Sequence, residues 1–162
     1  CRGVKWRPFW GKGFVGDEDW IGEGGVAGAD GVRLIVAALA DRELLHLRTA
    51  AEDKLGLDAL VEVHDAEEMR RAANCGAKLI GVNNRDLRTF MTSFETSLQL
   101  ASLAPIGATL VSESGISSRA DVDQLIRCGY SGFLVGESLM RAADPAALIR
   151  SLRGEIGELR PV

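Results

Sequence analysis

The chain has 162 residues, 46% of them hydrophobic and 26% charged, with a formal charge of −4. A chain of that size can bury a substantial core in one soluble globular domain, and its acidic balance argues against nucleic acid as a partner. No apolar run reaches the roughly 18–20 residues of a membrane span.

The opening Cys1-Arg2-Gly3-Val4-Lys5-Trp6 has no apolar leader segment. Three cysteines without a Cys-x-x-Cys pair argue against a disulfide framework and a cysteine zinc cluster, and suit a reducing cytoplasm. Residues 1–11 carry no readable periodicity, although a short strand is expected around Phe9–Phe14. From Gly16 to Gly31 the rhythm asks for a helix. Gly22, Gly24, Gly25 and Gly28 each cost about 1 kcal/mol there relative to alanine, which predicts a frayed one. A strand follows at Val32–Ala37. Asp41 then opens a longer helix carrying Leu44, Leu45, Leu47, Ala50 and Ala51 and ending near Gly56.

A second strong strand covers Ala59–Val63. Asp65 caps the helix Ala66–Cys75, with Glu68 at the capping-box position and Gly76 as its stop. Next come a strand at Leu79–Asn83, a helix marked by Leu98, Ala101 and Leu103 and stopped by Pro105, and a strand at Thr109–Ser112. Ser118 opens the helix Arg119–Cys128, closed by Gly129, and Gly132–Val135 is the last strand. Asp144-Pro145 starts the final helix, with Leu148, Ile149 and Leu152 on its apolar face. Near-continuous apolar strands separated by single helices require parallel crossovers and burial on both faces. A (β/α)8 TIM barrel and an open doubly wound sheet both fit. A barrel takes about 250 residues, so the chain reads as a single partial barrel domain without its opening strands.

In a parallel barrel the loops at the C-terminal ends of the strands build the site, so polar residues interrupting those ends are informative. Glu62 lies between Val61 and Val63 and is either paired or functional, because an uncompensated buried carboxylate is costly. Asn83 ends its strand before Asn84-Arg85-Asp86, as a turn residue or a site residue. Glu113-Ser114 ends the next strand, as an inward carboxylate or a turn. Gly115 and Gly136-Glu137-Ser138 follow the last two strands. Paired glycine loops there let backbone amides approach a phosphate, with Arg85 as an added charged donor or a solvated loop residue. Lys12 stands among glycines near the first strand and alone reads as a surface charge. His46 reads as structural or solvent-facing, and His64 as support behind Glu62. The two histidines have no metal-ligand spacing, and no nucleophile elbow, P-loop or dinucleotide fingerprint appears.

Taken together, Leu60-Val61-Glu62-Val63-His64, Gly76–Leu87, Val111–Ile116 and Val135–Arg141 resemble the indole-3-glycerol phosphate synthase family of tryptophan biosynthesis. The likeness runs from Ala27-Gly28-Ala29-Asp30 to about Gly154, and more weakly back to Lys12-Gly13-Phe14. It implies a lyase of the TIM-barrel class, here about strands 3–8, without metal or organic cofactor. Such an enzyme closes the ring of 1-(2-carboxyphenylamino)-1-deoxyribulose 5-phosphate to indole-3-glycerol phosphate, losing carbon dioxide and water. The resemblance implies Lys12 as general acid, Glu62 in proton transfer and cation stabilisation, and Asn83 as an orienting group. It places Glu113 and Ser114 in the substrate pocket, and Arg85, Gly115, Gly136, Glu137 and Ser138 at the phosphate. The family's Glu-x-Lys pair and Ser-Pro-Ser segment have no counterpart here, and residues 1–11 do not match. Those departures keep open a catalytically incomplete phosphate-binding fragment. Another phosphosugar barrel such as a phosphoribosyl isomerase is also open, as are association or fusion with other tryptophan-pathway enzymes and self-association through exposed sheet edges.

Overall fold

A computed structural model of the chain describes residues 10–11, 18, 21–22, 28–86 and 88–154. In chain order the strands are β1 (Trp10–Gly11), β2 (Gly31–Ile35), β3 (Asp58–Val63), β4 (Leu79–Asn83), β5 (Thr109–Glu113) and β6 (Tyr130–Leu134). The helices are α1 (Asp41–Thr49), α2 (Ala66–Asn74), α3 (Glu95–Ala101), α4 (Arg119–Arg127), α5 (Glu137–Arg141) and α6 (Pro145–Arg153). The strands form one six-stranded sheet in sequential order, every neighbouring pair parallel. Sequential parallel order, with a helical crossover at each step from β2 to β6, is the wall of a (β/α) barrel. A doubly wound sheet would reverse its strand order partway.

Alternation along the strands sorts their side chains between two environments. Val32, Leu34, Ala59, Val61, Val63, Ile80, Val82 and Leu110 face the helices and join Leu44, Leu47, Met69, Ala72, Leu100, Val122 and Leu125 in one buried core. Arg33, Ile35, Leu60, Glu62, Gly81, Asn83, Val111 and Glu113 take the alternate positions and face the barrel interior. Glu62 pairs with Ile35 and Gly81 across the sheet, and Asn83 with Glu113. The charged groups therefore collect at the C-terminal ends of β3 to β5.

The element bounds depart from the apolar pattern in small, explicable ways. β2 stops at Ile35 because Val36–Ala38 turns into a 3-10 segment that brings Val36 into the core. The helix after Asp41 changes to π geometry over Ala50–Lys54. β6 begins at Tyr130, ahead of Gly132, with a register irregularity between Leu110 and Val111 of β5. Asp65 caps α2 by accepting from the Glu68 amide, but Glu68 does not complete a capping box. Its carboxylate accepts from the His64 amide and ring instead. Asp144 caps α6 through the Ala147 amide, with Pro145 in the first turn and Gly154 closing in the left-handed region. α5 carries no sequence signal beyond its loop glycine.

Of the strand expected around Phe9–Phe14, only Trp10–Gly11 is described, and Lys12 lies outside the described residues. Within the expected frayed helix, Glu18, Ile21 and Gly22 are helical and Ile21 is fully buried. No helix among the described residues is long and apolar enough to cross a membrane.

Candidate active site

Glu62 is the centre of the site. It is 1% exposed, and three neighbours divide its two oxygens. Arg33 Nη1 donates to Oε2 at 2.7 Å, and Asn83 Nδ2 donates to Oε1 at 3.0 Å. His64 Nε2 lies 3.3 Å from the same Oε1, an ion-pair distance without hydrogen-bond alignment. On its far side, His64 Nδ1 meets Glu68 Oε2 at 3.0 Å. Burial works to raise the Glu62 pKa, but His64, Asn83 and the Arg33 charge outweigh it and hold the carboxyl below the ordinary 4.5. Burial would likewise lower His64, yet the two carboxylates flanking it push it up to about 9. His64 is therefore an imidazolium at neutral pH, and the run Arg33–Glu62–His64–Glu68 alternates in sign.

Beside this run stands Glu113, 5% exposed on β5. A side chain at Gly81 would put its Cβ 2.1 Å from Glu113 Oε1 and 3.2 Å from Leu60 Cδ1. Glycine at that position is what lets the carboxylate lie across β4. Past Glu113 the chain makes two consecutive left-handed residues, Ser114 (φ 65°) and Gly115 (φ 75°). The left-handed region costs a non-glycine residue about 1–2 kcal/mol, so Ser114 holds backbone strain at a strand end. At Gly115 a Cβ would also approach Thr92 Cγ2 to 2.7 Å, so a larger residue would have to displace that side chain as well as adopt the left-handed backbone.

A cavity of about 300 Å³ opens above these residues. Asn83, Arg85, Glu113, Ser114, Gly115, Gly136, Glu137 and Ser138 all line it, so eight sequence candidates share one space. Glu62 sits below, bonded to the lining residues Arg33 and Asn83. The loops after β5 and β6 are tied together by Ser138 Oγ donating to the Ile116 carbonyl at 2.7 Å. Arg85 reaches across the mouth to Glu137, which also pairs with Arg141 at 2.8 Å, while Arg85 Nε is buried without a hydrogen-bond partner. Asn83 Oδ1 accepts from the Arg85 amide, fixing the amide so that its NH2 faces Glu62. His46 stays at the surface, 2.9 Å from Glu18.

One residue of the site went unmarked in the sequence. Arg33 interrupts an apolar strand just as Glu62 does, and that was the signal available. It lies two residues before Ile35 on the same face, inside a run that reads as wholly apolar when only its β-branched neighbours are weighed. Chemically, the site offers a buried carboxylate fixed as an anion and a second carboxylate beside it. Above them is a mouth where glycine-loop backbone and an arginine can receive an anion.

Comparison with known proteins converges on one family. The indole-3-glycerol phosphate synthase family profile matches residues 2–152. An indole-3-glycerol phosphate synthase of Koribacter versatilis is 52% identical over 143 residues, covering 88% of this chain and 55% of that protein. One from Carboxydothermus hydrogenoformans is 47% identical over 152 residues, covering 93% of this chain and 57% of its own length. The chain thus spans about half the length of the curated relatives it matches. Among solved structures, 3-hexulose-6-phosphate synthase superposes with a TM-score of 0.70 at 20% identity, over 88% of this chain and 69% of that one. A mandelate oxidase superposes with a TM-score of 0.70 at 21% identity, over 91% of this chain and 57% of that one. At such identities these two support the barrel fold alone.

Proposed function

The chain belongs to the indole-3-glycerol phosphate synthase family, and from that premise we propose that it carries the family's reaction. It would convert 1-(2-carboxyphenylamino)-1-deoxyribulose 5-phosphate to indole-3-glycerol phosphate, releasing carbon dioxide and water. The observation that carries this reading is the single cavity. Groups suited to an anion (Arg85, Gly115, Gly136 and the backbone amides near Glu137 and Ser138) share its mouth with Asn83, Glu113 and Ser114, above the buried Glu62.

In this reading the phosphate sits against the backbone of the Gly115 and Gly136 loops, and Arg85 leaves Glu137 to meet it. Asn83 orients the substrate, with its own amide held by Glu62 and the Arg85 backbone. Ring closure makes a cationic intermediate, and Glu62 stabilises that charge and takes part in proton transfer. Glu113 and Ser114 line the space where the indole ring forms. Lys12 is the general acid by resemblance to the family. The free cysteines and the lack of any apolar span among the described residues fit a cytoplasmic setting.

The test is turnover of that substrate by the purified 162-residue chain, followed by the fluorescence of the indole product and by carbon dioxide release. Turnover that falls about 10²–10⁴-fold in Glu62→Gln is the expected result, the range of one acid–base group. Binding of indole-3-glycerol phosphate without any turnover would overturn the enzyme assignment in favour of a phosphate-binding unit. Isomerisation of a phosphosugar without carbon dioxide release would move it to another barrel chemistry.

A further inference from the structure

The function proposed above gives Glu62 a part in proton transfer without saying which way the proton moves. Its surroundings decide that. We propose that Arg33 and His64 are positioning residues for Glu62. Set against different oxygens of its carboxylate, they hold it ionised and in one orientation, so that it serves as proton acceptor and anion, never as the donor, in the resting site.

The geometry carries the argument. Arg33 Nη1 donates to Oε2 at 2.7 Å, Asn83 Nδ2 donates to Oε1 at 3.0 Å, and His64 Nε2 stands at an ion-pair distance of 3.3 Å from Oε1. Among the described residues, each Glu62 oxygen thus accepts a hydrogen bond, Oε2 from Arg33 and Oε1 from Asn83, with the His64 ring beside Oε1, so a proton on either oxygen would compete with a donor or a cation already there. A side chain 1% exposed has no water to turn to. The two cations are themselves fixed. Arg33 is only 20% exposed, and Glu68 holds His64 from behind through both its ring and its backbone amide.

The other charged groups facing this point are few among the described residues. Glu113 looks in from β5, beside Gly81, and Arg85 and Glu137 pair with each other at the mouth. Glu113 brings a second carboxyl group to the interior, lying across Gly81, the residue that pairs with Glu62 on β4. Removing Arg33 or His64 withdraws one of the two cations set against the buried Glu62 carboxylate.

The experiment is a carbon-13 titration of the Glu62 carboxyl in the whole chain and in Arg33→Met, Arg33→Lys and His64→Gln, beside the pH profile of turnover. The unaltered chain should titrate below 4.5, the ordinary value. Arg33→Met should raise the midpoint by about 1 unit or more and move the acid limb of kcat with it, leaving KM within about twofold. Arg33→Lys should restore most of the shift, and His64→Gln should raise the midpoint by a smaller step. A merely structural arginine would lower stability without moving either midpoint, and that result overturns the proposal. If Arg33→Met fails to fold, the unaltered chain still decides, because a Glu62 midpoint at or above 4.5 overturns it alone. The proposal rests on the enzyme reading, yet the two fail separately. Absence of turnover with a low Glu62 midpoint overturns the reaction, whereas turnover with a high midpoint overturns the positioning role.

Discussion

Two buried polar networks lie at the same end of the sheet on opposite faces, and they differ in kind. On the helix-bearing side, Asn84 donates to Ser112 Oγ and to the Ser114 carbonyl while its Oδ1 accepts from the Ser97 amide. Ser97 and Ser112 share a hydroxyl contact at 2.8 Å, and Tyr130 closes the set by donating to the Ser97 carbonyl at 2.7 Å. That network is neutral, and each of its side chains has a partner. On the interior side, Arg33, Glu62, His64 and Glu68 form a run of alternating charge, and Arg33 Nε and His64 Nε2 are buried without a hydrogen bond. A closed neutral network anchors α3 to the sheet, whereas a charged one with unused donors holds electrostatic potential where a ligand can meet it. Asn83 and Asn84 are neighbours in the chain, as are Ser112 and Glu113. Successive residues at these strand ends point to opposite faces, so one of each pair enters the candidate site and the other joins the helix-side network.

The largest separation of the two networks should come from Glu62→Gln. Besides the loss of turnover, the change leaves Arg33 and His64 facing a neutral amide in a buried space. Removing one partner of a fully buried pair costs about 3–5 kcal/mol. Arg33 retains some solvent contact, so about 2–3 kcal/mol by denaturant titration is expected here. No single change in the neutral network should affect both stability and turnover.

The pH dependence of stability should come next, and of the two networks only the charged one contributes to it below the ordinary tyrosine value of 10. The folded pKa of His64 is raised from 6.5 to about 9, so its contribution is complete below 6.5 and is lost as pH rises through about 9. Glu62 has the opposite sign. Its folded pKa lies below 4.5, so its contribution is present above 4.5 and lost as pH falls through the lower folded value. Thermal melts should therefore show this pair's full effect between about 4.5 and 6.5, with an alkaline loss on the order of 3 kcal/mol at most. His64→Gln should flatten the alkaline decline. A variant that declines as steeply as the parent would assign the loss to other groups.

Gly81→Ala sharpens the comparison at a smaller scale. The new methyl meets Glu113 Oε1 at 2.1 Å, and the far end of a flexible side chain can swing away, although Leu60 at 3.2 Å limits the room. The expected cost is about 1–3 kcal/mol, as for other overpacked positions, with kcat reduced because Glu113 is displaced. Unchanged kcat would remove Glu113 from the site.

These positions also mark how far the sequence could be read. The strands from β2 onward and the helices α1 to α4 and α6 were legible because apolar runs, caps such as Asp65 and Asp144, and stops such as Gly76 and Gly129 act locally. The candidate set after β4, β5 and β6 was legible because polar residues at apolar strand ends are conspicuous. Arg33 was not, since its meaning depends on Glu62, 29 residues away. Nor was the destination of Glu68, since the capping box and the His64 contact compete for one carboxylate and only tertiary placement decides between them. The division of Asn83 from Asn84 needs the register of β4 against β5, which pairs Asn83 with Glu113 and leaves Asn84 beyond the strand.

Tyr130→Phe should have the smallest effect, and it tests the comparison from its quiet side. The change deletes one hydroxyl that donates to the Ser97 carbonyl and alters no charge. Burial of that hydroxyl pushes its pKa up to about 12, so it stays a neutral donor across the working range. Its loss should lower stability by about 1 kcal/mol, the net worth of a buried hydrogen bond, by the same amount at every pH below 9. Turnover per folded molecule should not change, because Tyr130 packs in the helix-side core and touches nothing in the cavity. If kcat fell with Tyr130→Phe while the melts barely moved, the neutral network would be coupled to the site through Asn84 and the Ser114 backbone. The division of labour between the two faces would then be wrong at its simplest point.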